Sequence, residues 1–140
     1  MSGRAFLDTN VLVYCFDGGE PAKQRRAQQV VESSDDELVV STQVLQEFYV
    51  TVVRKLSRPL AEADAEHAVR ELSALPTVAI DAALVLAAIA TSRQHRLSLW
   101  DALVLRSACA GGCARLLSED LQHGFQLEGV RVENPFLDLR

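Results

Sequence analysis

Four acidic residues stand just beyond short apolar runs of the chain. Asp8 comes directly after Ala5-Phe6-Leu7, and Asp120 three residues after Leu117. Asp101 lies in the first turn of a helical pattern that begins after Leu97-Ser98-Leu99, and Glu47 in the opening turns of the one after Leu38-Val39-Val40. Ligands of an open parallel α/β sheet bind at the carboxyl ends of its strands, so this reading puts all four acids on one sheet edge. On the helix of Glu47, Val44, Leu45, Phe48, Tyr49, Val52, Val53 and Leu56 form the apolar stripe. Glu47 flanks that stripe and is expected to point into a cleft. Converging carboxylates raise one another's pKa unless a cation lies between them. Hard oxygen donors favour Mg²⁺ or Mn²⁺. Such an ion lowers the pKa of a bound water and stabilises charge on a phosphate. The chemistry implied is hydrolysis of a phosphodiester.

Read singly, each acid has a structural alternative. Asp8 serves as a cap of the next turn, and Ser98-Leu99-Trp100-Asp101 fits a capping box. Glu47 reads as a solvated helix residue, and Ser118-Glu119-Asp120-Leu121 as turn chemistry. Asp81 is assigned to helix capping alone.

The elements that must position these residues alternate. Ala5 to Leu7 reads as a buried strand, followed by a turn or short helix from Thr9 into Tyr14. Pro21 starts a helix whose body, Ala22 to Glu32, is broken by Ser33-Ser34-Asp35-Asp36. Glu37 to Val40 predicts a second strand, and Ser41 or Thr42 caps a helix running to about Leu56. Pro59 opens a helix from Leu60 to about Leu75, closed by Pro76. Thr77 to Ile80 predicts a third strand, with Asp81 capping a helix to about His95. Trp100 to Ala110 reads as helix ended by Gly111-Gly112, Arg115 to Leu117 as strand, and Val130 to Val132 as a last strand. Short apolar strands alternating with helices predict an α/β fold, a central parallel sheet with helices on both faces.

The 140 residues fit one domain, expected to span 1–140, and a composition of 49% hydrophobic and 24% charged residues is that of a globular protein. A net charge of −5 excludes binding of nucleic acid through overall basicity. Local basic groups or metal ions must do that work. Lys23, Arg25, Arg26, Arg54, Lys55 and Arg58 are the candidate phosphate contacts, with solvated helix faces as the alternative. Trp100 and Tyr14 are candidates for stacking on bases, with core or interface packing the favoured reading. Met1-Ser2-Gly3-Arg4 lacks the shape of a signal peptide. Val78 to Ala90 is too short and interrupted to span a bilayer. Cys15, Cys109 and Cys113 read as buried thiols. A cytoplasmic protein is expected.

The acidic segments resemble a known family. Phe6-Leu7-Asp8-Thr9-Asn10-Val11-Leu12-Val13-Tyr14 is similar to the opening motif of PIN-domain nucleases. Gln46-Glu47-Phe48 resembles the second acidic motif and Leu97-Ser98-Leu99-Trp100-Asp101-Ala102-Leu103 the third. Leu116-Leu117-Ser118-Glu119-Asp120-Leu121 resembles the fourth. Order and spacing match across essentially the whole chain, whose length suits the VapC-type toxins of bacterial toxin–antitoxin pairs. The resemblance implies a three-layer α/β/α sandwich and RNA cleavage dependent on Mg²⁺, with Mn²⁺ able to substitute. It also implies a cognate antitoxin and a homodimer. Asp8, Glu47, Asp101 and Asp120 would be the metal-site carboxylates, with Thr9 and Ser118 as supporting hydroxyls. The family often has Thr where this chain has Ser118. Asn10 would position the Asp8 loop or serve only as a turn residue, and whether Glu119 shares the role of Asp120 stays open.

Two rival functions are a phosphatase with Asp8 as nucleophile and a non-catalytic binding scaffold of the same fold. The first lacks the second Asp expected two residues on, where Asn10 stands.

Overall fold

The structure is a computed structural model describing residues 3–139; Met1 and Ser2, the start of the segment considered for a signal peptide, lie outside the described residues. Strand β1 (Arg4–Leu7) is the centre of the molecule, with Ala5, Phe6 and Leu7 all fully buried. An unbroken buried run, without polar alternation, belongs to a strand covered on both faces. β2 (Glu37–Ser41) pairs with it on one side and β4 (Arg115–Leu117) on the other, both parallel. With β3 (Thr77–Val78), β5 (Gln126–Leu127) and β6 (Val130–Glu133), the six-stranded sheet has the order β3-β2-β1-β4-β6-β5.

Register shows how the layers form. Phe6, Val39, Leu116 and Val132 are neighbours across the parallel strands and share one face. That face is covered by α6 (Leu99–Ala110), which contacts β2, β4 and β6 and packs against α5 (Ala82–His95). Gly111, just after α6, sits so close to the sheet that an added Cβ would meet Val39 Cγ1 at 3.1 Å and Val78 Cγ2 at 3.3 Å. A side chain there would make those methyl groups give by a few tenths of an ångström. Leu117, on the other face, lines a hollow with Val30 of α2 (Pro21–Glu32). There α1 (Thr9–Tyr14), α2, α3 (Thr42–Arg54) and α4 (Glu62–Leu72) pack on one another. The result is a three-layer α/β/α sandwich with a mostly parallel sheet.

Departures from the expected elements have local causes. β5, absent from the sequence reading, pairs antiparallel with β6 at the sheet edge. Glu128 and Gly129 between them both have positive φ (48° and 86°), the signature of a tight hairpin turn. β3 stops at Val78 because Ile80 N–H donates to the Thr42 hydroxyl at 3.2 Å instead of to a neighbouring strand. Leu60 N–H donates back to Val52 O at 2.9 Å, so α4 begins only at Glu62. Leu97-Ser98-Leu99 forms no strand; Ser98 caps α6.

Candidate active site

The ladder between β1 and β4 runs one residue past the strand. Asp8 N–H donates to Leu117 O at 3.0 Å, which brings Asp8 beside Ser118. Asp8 is 7% exposed, and its two carboxylate oxygens are occupied. Oδ1 accepts from Thr9 N–H at 2.8 Å, and Oδ2 accepts from the Ser118 hydroxyl at 2.7 Å and Asn10 Nδ2 at 3.3 Å. Burial nevertheless pushes its pKa up to about 6, and the charges of Asp120 and Glu47 act in the same direction.

Ser118, fully buried, donates to Asp8 and accepts from the N–H groups of Asp120 (3.1 Å) and Leu121 (3.4 Å). Asn10 joins the two loops. Its Nδ2 also reaches Asp120 Oδ2 at 3.1 Å and Ser118 Oγ at 3.4 Å, and its Oδ1 accepts from Glu119 N–H at 3.1 Å. Asn10 is therefore a cross-link between the ends of β1 and β4, more than a turn residue. Glu47 is exposed, and its Oε1 accepts from the Thr9 hydroxyl at 3.1 Å.

Asp101 is reached from α6. Ser98 Oγ accepts from Asp101 N–H at 3.1 Å, which is the first half of a capping box. The reciprocal bond of such a box is missing: among the described residues, no backbone N–H donates to the Asp101 carboxylate. Burial raises its pKa, the Ser98 hydroxyl opposes, and the charge of Asp120 adds to the rise. Asp81 accepts from Leu84 N–H at 2.9 Å and is a helix cap, as expected.

All four predicted acids line one cleft of about 390 Å³, together with Asp17, Gln43, Thr51 and Trp100. Among the described residues, five carboxylates border it and no Lys or Arg does. Such a wall fits a hard cation in the kind of its donors. It is not a closed ligand cage: among the described residues, no three His, Cys, Asp or Glu side chains stand close enough together to hold an ion.

Glu119 is turned away from this cleft. Its Oε1 accepts from Tyr14 OH at 2.7 Å and its Oε2 from Lys23 Nζ at 2.6 Å, while Lys23 also donates to Tyr14 OH at 3.2 Å. The Glu119 hydrogen bond holds the Lys23 ammonium well above its ordinary pKa. Arg26 is likewise engaged, with Asp138 at 2.6 Å. Two features escaped the sequence reading. Trp100 is 62% exposed, which corrects the core half of the expected core or interface packing. Gln43, one helical turn before Glu47, is 7% exposed; its Nε2 donates to Trp100 O at 3.5 Å, and its Oε1 is buried without a partner. The (i, i+4) spacing to Glu47 was the available signal.

Comparison with known proteins shows the fold and the family. A family model described as PIN domain matches residues 5–125. No curated protein matches the sequence. Among solved structures, one from a Klebsiella pneumoniae toxin–antitoxin complex has a TM-score of 0.69 at 23% identity, covering 94% of this chain and 97% of that one. The sarcin–ricin loop cleaving toxin VapC20 of Mycobacterium tuberculosis has a TM-score of 0.66 at 18% identity, over 80% and 86%. VapBC2 of Rickettsia felis, bound to a fragment of promoter DNA, has 0.61 at 17%, over 94% and 98%. At these identities the structural likeness speaks for the fold. The match of the family model over most of the sequence speaks for kinship: this chain belongs to the PIN domain family.

Proposed function

We propose that this protein is a divalent-metal-dependent endoribonuclease, the toxin of a toxin–antitoxin pair. The observation that carries the reading is the cleft bordered by five carboxylates and, among the described residues, no Lys or Arg, with Asp8 buried at its floor. A polyanion can enter such a site only if cations reverse its sign. Asp8, Asp101, Glu47 and Asp120 would hold Mg²⁺ partly through the waters that this ion keeps, with Mn²⁺ able to substitute. When bound, the ion supplies an activated water and stabilises charge on the phosphate and the leaving oxygen.

The chain's own residues orient these donors. Thr9 presents its backbone N–H to Asp8 and its hydroxyl to Glu47, so one residue ties two acids together. Ser118 and Asn10 do the same for Asp8 and Asp120. Supporting groups of this kind fix ligand orientation in metal sites. Asp8, with both oxygens hydrogen-bonded and little exposure, is poorly presented as a nucleophile, which disfavours the phosphatase reading.

The likeness to toxin–antitoxin structures supports an antitoxin partner. A homodimer is the proposed assembly. α5 keeps apolar side chains on its free side, Leu86 at 67% and Ile89 at 39% exposure, as an interface helix does. Among the described residues, no helix is long and apolar enough to cross a membrane; the proposal places the protein in the cytoplasm with its substrate.

The test is cleavage of RNA by the purified protein in chelator and in Mg²⁺, beside phosphate release from small phosphoesters. Chelator should abolish RNA cleavage and Mg²⁺ or Mn²⁺ restore it. Activity that persists in excess chelator would sink the mechanism. A folded protein that cleaves no RNA under any of these conditions would favour the binding scaffold.

A further inference from the structure

The cleft has a direction. Gln43, Glu47 and Thr51 line it at successive turns of α3, so this helix forms one wall. At its amino end Gln43 Nε2 is joined to the carbonyl of Trp100, whose indole is 62% exposed at the border of the cleft. At its carboxyl end, one turn past Thr51, come Arg54 and Lys55, and then Arg58. Gln43 and Lys55 are twelve residues apart, about 18 Å along a helix.

The three basic residues are exposed, and no carboxylate pairs with them among the described residues. Arg58 Nη1 lies 3.8 Å from where a Cβ on Gly18 would stand. The neighbouring Asp17 lines the cleft, with its Oδ1 accepting from Gly19 N–H at 2.9 Å. Arg54 and Lys55 therefore continue the cleft's wall at the end of α3, and Arg58 meets the loop after α1 beside it. Of the other candidate phosphate contacts, Lys23 and Arg26 are held by Glu119 and Asp138. In a chain of net charge −5, an unpaired cationic patch at the end of an acidic cleft calls for a polyanion.

We propose that single-stranded RNA lies along α3, a base stacked on Trp100 and the phosphates beyond the cleavage point held by Arg54, Lys55 and Arg58. The bond to be cut then lies over the acids between the two ends. An aromatic platform paired with a basic backbone track is how proteins hold single strands. This track rests on the ribonuclease reading above and adds how the strand is laid across the site.

The experiment measures binding of a short single-stranded RNA in Ca²⁺, which occupies hard oxygen sites with looser geometry than Mg²⁺, the RNA being recovered intact. Anisotropy of a labelled RNA reports affinity over a salt series. Fluorescence of Trp100, the only tryptophan of the chain, reports stacking of an unlabelled RNA. Wild type should bind with quenching. Replacing Arg54, Lys55 and Arg58 together by Gln should flatten the plot of log affinity against log salt by about 2, at about 0.7 per phosphate contact. Arg54→Lys combined with Arg58→Lys should keep the slope. Arg131→Gln, exposed at the opposite edge of the sheet, should leave it unchanged. Trp100→Ala should weaken binding about fivefold or more without changing the slope.

Tight binding with an unchanged slope in the triple variant overturns the track, as does saturation of wild type without a change in Trp100 fluorescence. A triple variant that loses a co-purifying protein partner but keeps its RNA affinity makes the patch a protein surface, and the track is wrong. Failure of wild type to bind any RNA by anisotropy removes the ribonuclease reading itself, and the track with it.

Discussion

The Ser118 hydroxyl donates to Asp8 Oδ2 at 2.7 Å while accepting from the backbone N–H of Asp120 at 3.1 Å, so one buried side chain spans two of the acids. Ser118→Ala deletes a bond that stabilises the charged form of Asp8 and leaves buried polar groups short of a partner. It should cost about 1–3 kcal/mol of stability. The same bond opposes the rise in the Asp8 pKa, so its loss should move the acidic limb of the pH–activity profile upward. Activity measured from pH 5 to 8 against wild type checks this. A limb that stays in place, in a variant with the expected loss of stability, would mean that Asp8 does not set the limb.

A second prediction concerns stability of the metal-free protein. The Asp8 carboxyl has a pKa of about 6 when folded against 3.8 ordinarily. Below about pH 4 it is protonated in both states, and folding gains nothing and loses nothing by its charge. Between the two values the native state holds the extra proton, so stability falls as pH rises. The loss approaches roughly 3 kcal/mol once the folded carboxyl ionises, at 1.36 kcal/mol per unit. Chemical denaturation of wild type and Asp8→Asn in chelator, from pH 4 to 8, should show this slope only in wild type. Parallel curves for the two proteins would contradict the assignment.

Asp101→Asn separates a metal ligand from a helix residue more cleanly than Asp8→Asn does. At Asp8 an amide places an N–H₂ against either Thr9 N–H or the Ser118 hydroxyl, both of which donate to the native carboxylate. Among the described residues the Asp101 carboxylate accepts from no backbone N–H, and Ser98 already caps α6. The charge is therefore worth at most about 1 kcal/mol to the helix dipole. Relief of repulsion from Asp120 works against even that. Metal-free stability should stay level or rise. Mg²⁺ at about 100 times its dissociation constant should stabilise wild type by roughly 2.7 kcal/mol, and the variant should lose most of that gain. Equal Mg²⁺ shifts in thermal unfolding would mean that Asp101 is no ligand.

Asp8 was legible because it abuts an apolar run whose burial forces it to the end of a strand. Phe6 and Leu7 can only be interior, and Asp8 must then stand where the strand leaves the core. Ser98-Leu99-Trp100-Asp101 was legible as a cap for the same local reason. What was not legible depends on distant pairing. Lys23 meets Glu119 across 96 positions of sequence, and nothing near either residue announces it. Trp100 reads by type as a core or interface residue, yet at the start of α6 it stands exposed beside Asp101 at the border of the cleft. β5 escaped because two residues carry no alternation, and its turn, Glu128-Gly129, lacks the Asn or Asp that usually marks such hairpins.

That Lys23–Glu119 pair favours Asp120 over Glu119 in the proposed cation site. Glu119 and Asp120 come directly after Ser118 in sequence, and both are carboxylates at the edge where Asp8 ends β1. Glu119 spends both oxygens on Tyr14 and Lys23, away from the cleft. Asp120 lines the cleft, its carboxylate is held only by Asn10 among the described residues, and it bears on the pKa of both Asp8 and Asp101. Glu119→Gln keeps an oxygen for the Tyr14 hydroxyl but weakens the pairing with Lys23, whose side chain is 27% exposed and thus partly solvated. Its cost should be about 1 kcal/mol or less, in the range of partly screened ion pairs. RNA cleavage by Glu119→Gln should stay within about threefold of wild type, since no group over the reacting phosphate changes. Asp120→Asn removes a charge from the cation site itself and should lower kcat by about tenfold or more, with the smaller stabilisation by Mg²⁺ that a lost ligand entails. Both variants should be assayed for cleavage and for Mg²⁺-dependent melting. The reverse ranking, with Glu119→Gln the inactive protein, would mean that Glu119 leaves Lys23 and takes the place of Asp120 at the metal.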